Sequence, residues 1–415
     1  MEMKRVVITG IGALTPIGNN AEEYWQGLVN GVSGAAPITL FDATNAKTTF
    51  ACEVKNFDGS QYFDRKEIRK YDRFSQFGIV AADQAVQDSG LDLEKIDKDF
   101  AGVIWASGIG GIQTFEEEIT SFVHGDGTLR FSPFFIPKMI ADICAGHISI
   151  KYGFRGPNFC TVSACASSAH ALAESFMYIK LGKAKVMLAG GSEAAITHAG
   201  LGGFSSMKAI SQRNDDPKTA SRPFDKDRDG FVLGEGAGAL TLEEYEHAKA
   251  RGAKIYAELA GTGLTADAHH MTAPHPEGLG AKRAMALAIE EAGLKIEDID
   301  HINTHGTSTP LGDIAEINAI SSLFGEHAKN ININSTKSMT GHLLGAAGAI
   351  ETVATALAIK NGIVPPTINH LTDDDALPEL NYTFNKAQKR DIRAAISNTF
   401  GFGGHNASLV LKKIE

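Results

Sequence analysis

The chain has 415 residues, of which 43% are hydrophobic, and carries a formal net charge of -10. This composition is typical of a globular protein with a large core, and the length predicts two or three domain-sized units. The negative charge argues against a nucleic-acid partner, because binding to phosphates needs a strongly basic face.

The chain starts with MEMKRVVITGIGALTP and enters a β-branched run directly. It lacks the long uncharged apolar stretch of a signal peptide or membrane anchor, so we expect a cytoplasmic protein with no membrane partner. The four cysteines, Cys52, Cys144, Cys160 and Cys165, are irregularly spaced. This spacing favours reduced thiols over a disulfide framework, and it lacks the pairing of a zinc site, so we expect no metal.

Several β-rich runs end in glycine and alternate with helix-like segments, which predicts an α/β fold. These runs are VVITGIG at 6–12, GVIWASGIGG at 102–111, VMLAGG at 186–191 and INTHG at 302–306. The first run is not a dinucleotide-binding fingerprint, because its glycines lack the GxGxxG spacing and Pro16 falls inside the helix that should receive the pyrophosphate. We therefore expect no nucleotide cofactor.

Two pairs of segments indicate an internal repeat. Residues 81–97 align without gaps to 284–300, each copy predicting an amphipathic helix that ends at a glycine and leads into a strand. The alanine-rich stretch 163–182 has a counterpart at 340–362. Two related halves, 1–250 and 251–415, are the simplest interpretation.

The segment FDRKEIRKYDR concentrates positive charge in an otherwise acidic chain. The spacing of Lys66, Arg69 and Lys70 predicts that they share one helical face. Because acidic residues are interleaved, this face is either a solvated charged surface or a docking site for an acidic partner.

Cys165 lies in NFCTVSACASSAH, where an extended stretch meets a run of small, helix-tolerant residues. This position predicts a sulfur near a helix N-terminus, whose partial positive charge favours the thiolate. The small neighbours leave room for a substrate carbonyl to approach. Cys165 is thus a candidate nucleophile, although a cysteine in such a run is also a common buried hydrophobe.

Two histidines in the second half stand in similar glycine-bounded turns. His305 follows a predicted strand in HINTHGTSTPLGD, and His342 follows Lys337 in STKSMTGHLLGAAG. His342 precedes the second small-residue helix, at the place in the repeat that Cys165 occupies in the first half. This placement favours a catalytic use for both histidines.

The segments SACASSAH, HGTSTPLGD, STKSMTGHLLGAAG and SNTFGFGGHNASLVL occur in this order. Together they resemble the signatures of the β-ketoacyl-acyl-carrier-protein synthases, the elongating type II condensing enzymes of fatty-acid synthesis. The resemblance implies a thiolase-like fold of two pseudo-duplicated halves with a five-layered αβαβα core, and a homodimer. It also implies decarboxylative condensation of malonyl and acyl thioesters carried by acyl carrier protein, with no cofactor bound by the enzyme itself.

Roles for individual residues follow from the resemblance. Cys165 would accept the acyl group, and His305 and His342 would donate hydrogen bonds to the malonyl thioester oxygen. Lys337 and Glu316 would form a supporting ion pair. The N–H groups of Cys165 and Phe402 would form the oxyanion hole.

The resemblance also implies substrate and partner contacts. Thr307 and Thr309 would bind the pantetheine arm, and Asp313 would hold their loop. The acyl chain would contact Phe204, Ile109, Phe134, Phe135 and Phe402, with Phe134 and Phe135 also forming a dimer contact and Phe402 acting as a gate. Acyl carrier protein would dock on Lys66, Arg69, Lys70 and Lys208. One departure from the family pattern is His405, where a smaller residue is common.

Related activities on the same fold are separated by single residues. A thiolase would need a second cysteine late in the chain, yet none follows Cys165. A starter-type synthase resembles a Cys-His-Asn arrangement, whereas His342 supplies histidine at the third place. A non-catalytic chain-length partner subunit would lack the nucleophile. A polyketide-synthase ketosynthase subunit that keeps its cysteine shows the same residues and stays open.

Overall fold

The computed structural model describes residues 3–414. Its strands are β1 Val6–Leu14, β2 Ala36–Pro37, β3 Phe50–Ala51, β4 Ala101–Ala106, β5 Asn158–Thr161, β6 Val186–Glu193, β7 Gly236–Glu244, β8 Ala257–Ala266, β9 Ile299–Asn303, β10 Asn332–Asn334, β11 Ile363–Val364, β12 Gln388–Lys389, β13 Ala394–Gly401 and β14 His405–Lys412. Its α-helices are α1 Ala21–Val29, α2 Arg65–Ile68, α3 Arg73–Ser89, α4 Ile112–Val123, α5 Phe135–Met139, α6 Ile143–Tyr152, α7 Ser167–Lys180, α8 His198–Ser206, α9 Tyr245–Ala250, α10 Leu279–Glu291, α11 Pro310–Phe324, α12 Lys337–Thr340 and α13 Ala347–Asn361.

Ten strands form one mixed sheet whose two halves have the same topology. The first half runs β5-β4-β6-β7-β1 and the second runs β10-β9-β13-β14-β8. In each half the first three strands of this order are parallel and the last two pairings are antiparallel. The halves join where β1 pairs antiparallel with β8. This matched order confirms the pseudo-duplication expected for the fold.

Helices cover the two half-sheets in layers. Helices α3 and α6 pack on the outer face of the first half-sheet, and α10 and α11 pack on the outer face of the second. Helices α7 and α13 pack against each other and against strands of both half-sheets, so they form the central layer. The five-layered αβαβα arrangement is therefore confirmed.

The repeat predicted at residues 81–97 and 284–300 corresponds to equivalent helices in the two halves. The connections from these helices to the next strand differ in length. Helices α3 and α10 occupy the same outer position in their halves, and each is followed by a glycine in the left-handed region, Gly90 at φ +62° and Gly293 at φ +66°. Strand β4 begins at Ala101 but β9 begins at Ile299, so the connection is shorter in the second half than the gapless alignment predicts. The domain division near residue 250 stays a prediction.

The central layer brings the turn that carries Cys165 close to the turn that carries His342. A Cβ on Gly348 of α13 would lie 2.8 Å from the backbone N of Ala169 in α7, so small residues are required for the helices to pack this closely. Cys165 precedes α7, and His342 precedes the short turn Leu344–Ala346 that leads into α13. Within the described chain, no helix is both long enough and apolar enough to span a membrane.

Candidate active site

The nucleophile turn lies between β5 and α7. Ala164 has φ +50°, in the left-handed region, and Cys165 follows it with only 8% of its surface exposed. A cavity of about 430 Å³ leads from the surface to Cys165. The lining includes Cys165, Phe204, Lys208, Phe231, His305, Thr307, Thr309, Leu311, Glu316, His342, Phe400 and Phe402.

Burial dominates the electrostatics of Cys165 and raises the pKa of its thiol to about 11. The charge of Lys337 and the N–H groups of Phe402 and Cys165 itself act in the opposite direction. The expected preference for thiolate is therefore outweighed by desolvation, and the resting nucleophile is a thiol at neutral pH. The Nε2 atom of His342 lies 3.0 Å from Sγ, within hydrogen-bond reach of the thiol proton.

The two predicted histidines flank the nucleophile. The rings of His305 and His342 are 5.3 Å apart at an interplanar angle of 86°. Burial lowers the pKa of both histidines well below the ordinary value, and the positive charge of Lys337 lowers both further. Both imidazoles are therefore neutral at pH 7, as hydrogen-bond donation without a fixed positive charge requires.

The ion pair predicted between Lys337 and Glu316 is wrong. Lys337 is 1% exposed, and its Nζ donates to a carboxylate oxygen of Glu351 on α13. Both oxygens of Glu316 instead accept backbone hydrogen bonds, from His305 N–H at 2.9 Å and Gly306 N–H at 2.8 Å. Burial raises the pKa of Glu316 to about 7, against the effect of these N–H groups. Glu316 thus fixes the turn that carries His305. The charge of Lys337 lowers the pKa of Cys165 and of both histidines.

The turn between β13 and β14 brings Phe402 to the nucleophile. A Cβ on Gly401 would lie 3.1 Å from the backbone N of Cys165, so the end of β13 approaches the nucleophile turn closely. Gly403 has φ +86° and Gly404 has φ +73°, which a residue with a side chain rarely adopts. The N–H groups of Cys165 and Phe402 both interact with Sγ, so they converge on the place predicted for the oxyanion hole.

The loop before α11 presents two threonines to the cavity. The hydroxyls of Thr307 and Thr309 lie 2.9 Å apart and line its wall. Ser308 between them has φ +68°, and its N–H donates to Asp313 at 3.1 Å. Asp313 also accepts from Phe224 N–H at 2.9 Å and faces Arg228. These bonds agree with a loop-holding position for Asp313.

The predicted acyl-chain contacts are only partly brought together. Phe204 lines the cavity and packs edge-on against Phe231, 5.4 Å between ring centroids. Ile109, Phe134 and Phe135 do not line it. Ile109 is 39% exposed on the turn after β4, and Phe135 belongs to an aromatic cluster around α4 and α5. Their acyl and dimer contacts stay predictions.

The predicted docking residues lie in two places. Lys208 is exposed and lines the cavity, whereas Lys66, Arg69 and Lys70 are exposed but do not line it. The expected shared helical face is wrong in extent, because α2 ends at Ile68, Arg69 caps it and Lys70 lies beyond. Within residues 3–414, none of the three forms an ion pair, so their charge is available to a partner.

Two site residues were missed from the sequence. Glu351 is the only acid in the alanine-rich helix α13, and an acid inside an apolar helix was the available signal of a buried partner. Phe231 packs edge-on against His342 at 5.3 Å, and no sequence signal indicated this contact. His405, the departure from the family pattern, starts β14 and lies 6.3 Å from the ring of His170.

The ligand-type atoms of Cys165, His305 and His342 all lie within 4.8 Å of one another. In the described chain this is the only group of three or more His, Cys, Asp or Glu residues with such spacing. A soft metal ion is chemically compatible with one thiolate and two imidazoles. The same convergence also suits a nucleophile flanked by two hydrogen-bond donors.

A ten-stranded duplicated sheet, with a cysteine and two neutral histidines in the turns that follow its strands, defines a thiolase-like condensing enzyme. The sequence matches the family models "Beta-ketoacyl synthase, N-terminal domain" over residues 3–248 and "Beta-ketoacyl synthase, C-terminal domain" over residues 256–371. The chain therefore belongs to the beta-ketoacyl synthase family.

Named relatives and solved structures extend this match over the whole chain. The "3-oxoacyl-[acyl-carrier-protein] synthase 2" of Synechocystis sp. is 51% identical over 415 residues, covering 100% of this chain and 99% of the relative. A beta-ketoacyl synthase from Burkholderia phymatum superposes with a TM-score of 0.92 at 36% identity, with both chains fully covered. A type II PKS ketosynthase, solved in complex with its acyl-carrier protein, superposes with a TM-score of 0.91 at 35% identity, also with full coverage.

Proposed function

We propose that this chain is a 3-oxoacyl-acyl-carrier-protein synthase of fatty-acid elongation. It condenses malonyl-acyl-carrier-protein with an acyl chain on Cys165 and releases 3-oxoacyl-acyl-carrier-protein and carbon dioxide. The observation that carries the proposal is the convergence of Cys165, His305, His342 and the N–H groups of Cys165 and Phe402 at the inner end of one cavity. The name of the full-length Synechocystis relative supports it.

In the first half-reaction, the sulfur of Cys165 attacks the thioester carbonyl of the incoming acyl carrier. The N–H groups of Cys165 and Phe402 stabilise the oxyanion that forms. His342 Nε2 lies 3.0 Å from Sγ, beside the thiol proton that passes to the leaving thiolate. The proton leaves with the departing pantetheine thiol, and Cys165 keeps the acyl group as a thioester.

In the second half-reaction, malonyl thioester enters the same cavity. Its carbon–carbon bond to the carboxylate breaks, carbon dioxide leaves, and the electron pair forms an enolate. His305 and His342 donate hydrogen bonds to the enolate oxygen, which their neutral state permits. The enolate carbon attacks the Cys165 thioester, and the thiol is released when it takes up one proton.

The walls of the cavity suit a carrier-bound substrate. Thr307 and Thr309 present two hydroxyls along it, as the polar groups of a pantetheine arm require. Acyl carrier protein docks on Lys208 at the rim and on Lys66, Arg69 and Lys70. A related ketosynthase has been solved with its acyl-carrier protein, which supports a carrier partner. The enzyme needs no cofactor of its own for this chemistry.

The enzyme acts as a cytoplasmic homodimer. Edge strand β5 has a neighbour in the sheet on one side only, and Val162 directly after it is 60% exposed. Other large apolar side chains of the same region are exposed, namely Phe115, Val123, Leu129, Ile136 and Ile150. A second copy covers this face, because an open strand edge with apolar neighbours favours pairing. Ile109, Phe134 and Phe135 would then complete the acyl pocket.

A polyketide-synthase ketosynthase subunit is the second candidate. Its support is the solved type II PKS ketosynthase at 35% identity. The 51% identity to a 3-oxoacyl-[acyl-carrier-protein] synthase favours the fatty-acid reaction. The third candidate, a non-catalytic chain-length partner, is disfavoured because Cys165 lies at the inner end of an open cavity.

The test is a condensation assay with purified chain, malonyl-acyl-carrier-protein and a series of acyl-acyl-carrier-proteins. We expect one round of elongation to 3-oxoacyl product with equimolar carbon dioxide, and a Cys165 acyl adduct by intact-protein mass spectrometry. Cys165→Ser is the matched control and should form neither product nor adduct. Repeated extension without reduction of the product would favour the polyketide alternative, and no adduct on the wild type would refute the proposal.

A further inference from the structure

A buried carboxylate that the proposed reaction does not use lies behind the nucleophile turn. Glu193 ends β6 and is 0% exposed. Its Oε1 accepts from the hydroxyl of Ser107 at 2.9 Å and from Ile109 N–H at 3.2 Å. Its Oε2 accepts from Gly108 N–H at 2.7 Å and from Gly345 N–H at 2.9 Å. Glu193 therefore links the turn after β4 to the turn that follows His342.

The environment of Glu193 matches the ionised carboxylate although burial raises its pKa. All four of its hydrogen-bond partners donate, and the hydroxyl of Ser107 is itself held by Gly110 N–H at 2.9 Å. Within the described residues, no cation forms an ion pair with it. A buried anion without a cation is costly, so a purely structural link would be served better by neutral groups.

The linked turns are packed too tightly to be displaced independently. A Cβ on Gly345 would lie 2.2 Å from the backbone N of Gly108. A Cβ on Gly108 would lie 2.8 Å from Oε2 of Glu193 and 3.4 Å from the carbonyl oxygen of Ala164. The carboxylate therefore lies at the junction of three turns, one of which presents Cys165.

We propose that Glu193 is a positioning residue for the nucleophile: its carboxylate clamps the Ser107–Gly110 turn to the Leu344–Ala346 turn, and so fixes the support beneath Ala164 and Cys165. Its negative charge also acts on Cys165, opposing the thiolate, while Lys337 favours it. His305 and His342 face the sulfur as neutral imidazoles. This inference rests on the proposed function only for its effect on turnover.

The test uses Glu193→Gln, which keeps the size but removes the charge and turns an N–H₂ group toward donors. The first readout is the rate of Cys165 alkylation by iodoacetamide at pH 8, followed by mass spectrometry. Loss of the charge should lower the pKa of the thiol and speed alkylation about threefold. This readout does not depend on which reaction the enzyme catalyses.

The second readout is kcat/KM for condensation, which should fall about tenfold because the nucleophile is misplaced. Ser107→Ala is the matched control: it removes one uncharged hydrogen-bond donor to Glu193, keeps the charge of the carboxylate, and should leave the alkylation rate unchanged. Faster alkylation in Ser107→Ala would mean that loosening the Ser107–Gly110 turn is enough to expose the sulfur of Cys165. That result would overturn the proposed effect of the Glu193 charge on the pKa of Cys165.

A folded Glu193→Gln protein with wild-type alkylation and wild-type kcat/KM would overturn the proposal. If Glu193→Gln does not fold, Glu193→Asp tests the clamp instead. The aspartate keeps the negative charge, but its side chain is too short to reach both turns. Its kcat/KM should fall with no gain in alkylation rate, and an unchanged kcat/KM would overturn the clamp. If Cys165 of the wild type is alkylated but the protein catalyses no condensation, the proposed function is refuted. The comparison of alkylation rates between the variants still stands in that case.

Discussion

The buried pair of Lys337 and Glu351 allows a quantitative prediction. Both side chains are fully enclosed, Lys337 being 1% and Glu351 0% exposed. Lys337→Met leaves the carboxylate without its counter-charge, and breaking a buried ion pair in this way costs about 3–5 kcal/mol of folding free energy. Burial already raises the pKa of Glu351 to about 7 despite the Lys337 charge, so we expect this carboxyl to be protonated in the variant.

A double-mutant cycle tests which acid is the partner. The Lys337→Met and Glu351→Gln changes should be strongly non-additive, with a coupling of about 1–3 kcal/mol in urea unfolding. The matched cycle with Glu316→Gln should show a coupling below about 0.5 kcal/mol, because Glu316 bonds the backbone of His305 and Gly306 instead. Larger coupling to Glu316 than to Glu351 would refute the assignment.

Lys337→Met should also change the nucleophile. The cation lowers the pKa of Cys165, so its removal raises that pKa further above neutral. At pH 8 the thiolate fraction then falls, and alkylation of Cys165 by iodoacetamide should slow. An unchanged alkylation rate in a folded variant would show that Lys337 is structural only. The double variant with Glu351→Gln should recover stability without recovering the alkylation rate.

Three further predictions concern the reaction cycle. His342→Ala should slow decarboxylation of malonyl-acyl-carrier-protein by about 10²- to 10³-fold, as is usual for the loss of one such donor, while Cys165 acylation changes less; equal loss of both half-reactions would assign His342 to the nucleophile alone. Phe402→Ala should change the discrimination between short and long acyl chains in a substrate series, because Phe402 lies between two glycines at the cavity. An equal loss of activity with every chain length would leave only the oxyanion role. Charge reversal at Lys66 and Arg69 should lower kcat/KM for carrier-bound substrates and flatten its salt dependence, while a minimal pantetheine thioester is turned over as before; equal loss with both substrates would point to damage at the active site.

The sequence by itself located the turns that carry the chemistry. Cys165, His305 and His342 were found because each lies at a strand-to-helix junction marked by small residues or glycine, and such junctions depend on local backbone preferences. The duplicated helices were visible for the same reason, since their apolar periodicity and terminal glycines are local features. The five layers came from the resemblance to a family and the strand order only from the structure, because strand pairing between distant segments leaves no local pattern.

The tertiary structure decided which charged groups meet. The resemblance implied that Lys337 pairs with Glu316, but packing assigned it to Glu351, because the backbone N–H groups of His305 and Gly306 occupy Glu316. Packing also reversed the expected electrostatics of Cys165, since its desolvation outweighs the favourable charges around it. The helix predicted for Lys66 to Lys70 ends at Ile68, and the next helix, α3, begins at Arg73. Partners, burial and pKa depend on three-dimensional neighbours, and a linear pattern of residue types does not contain them.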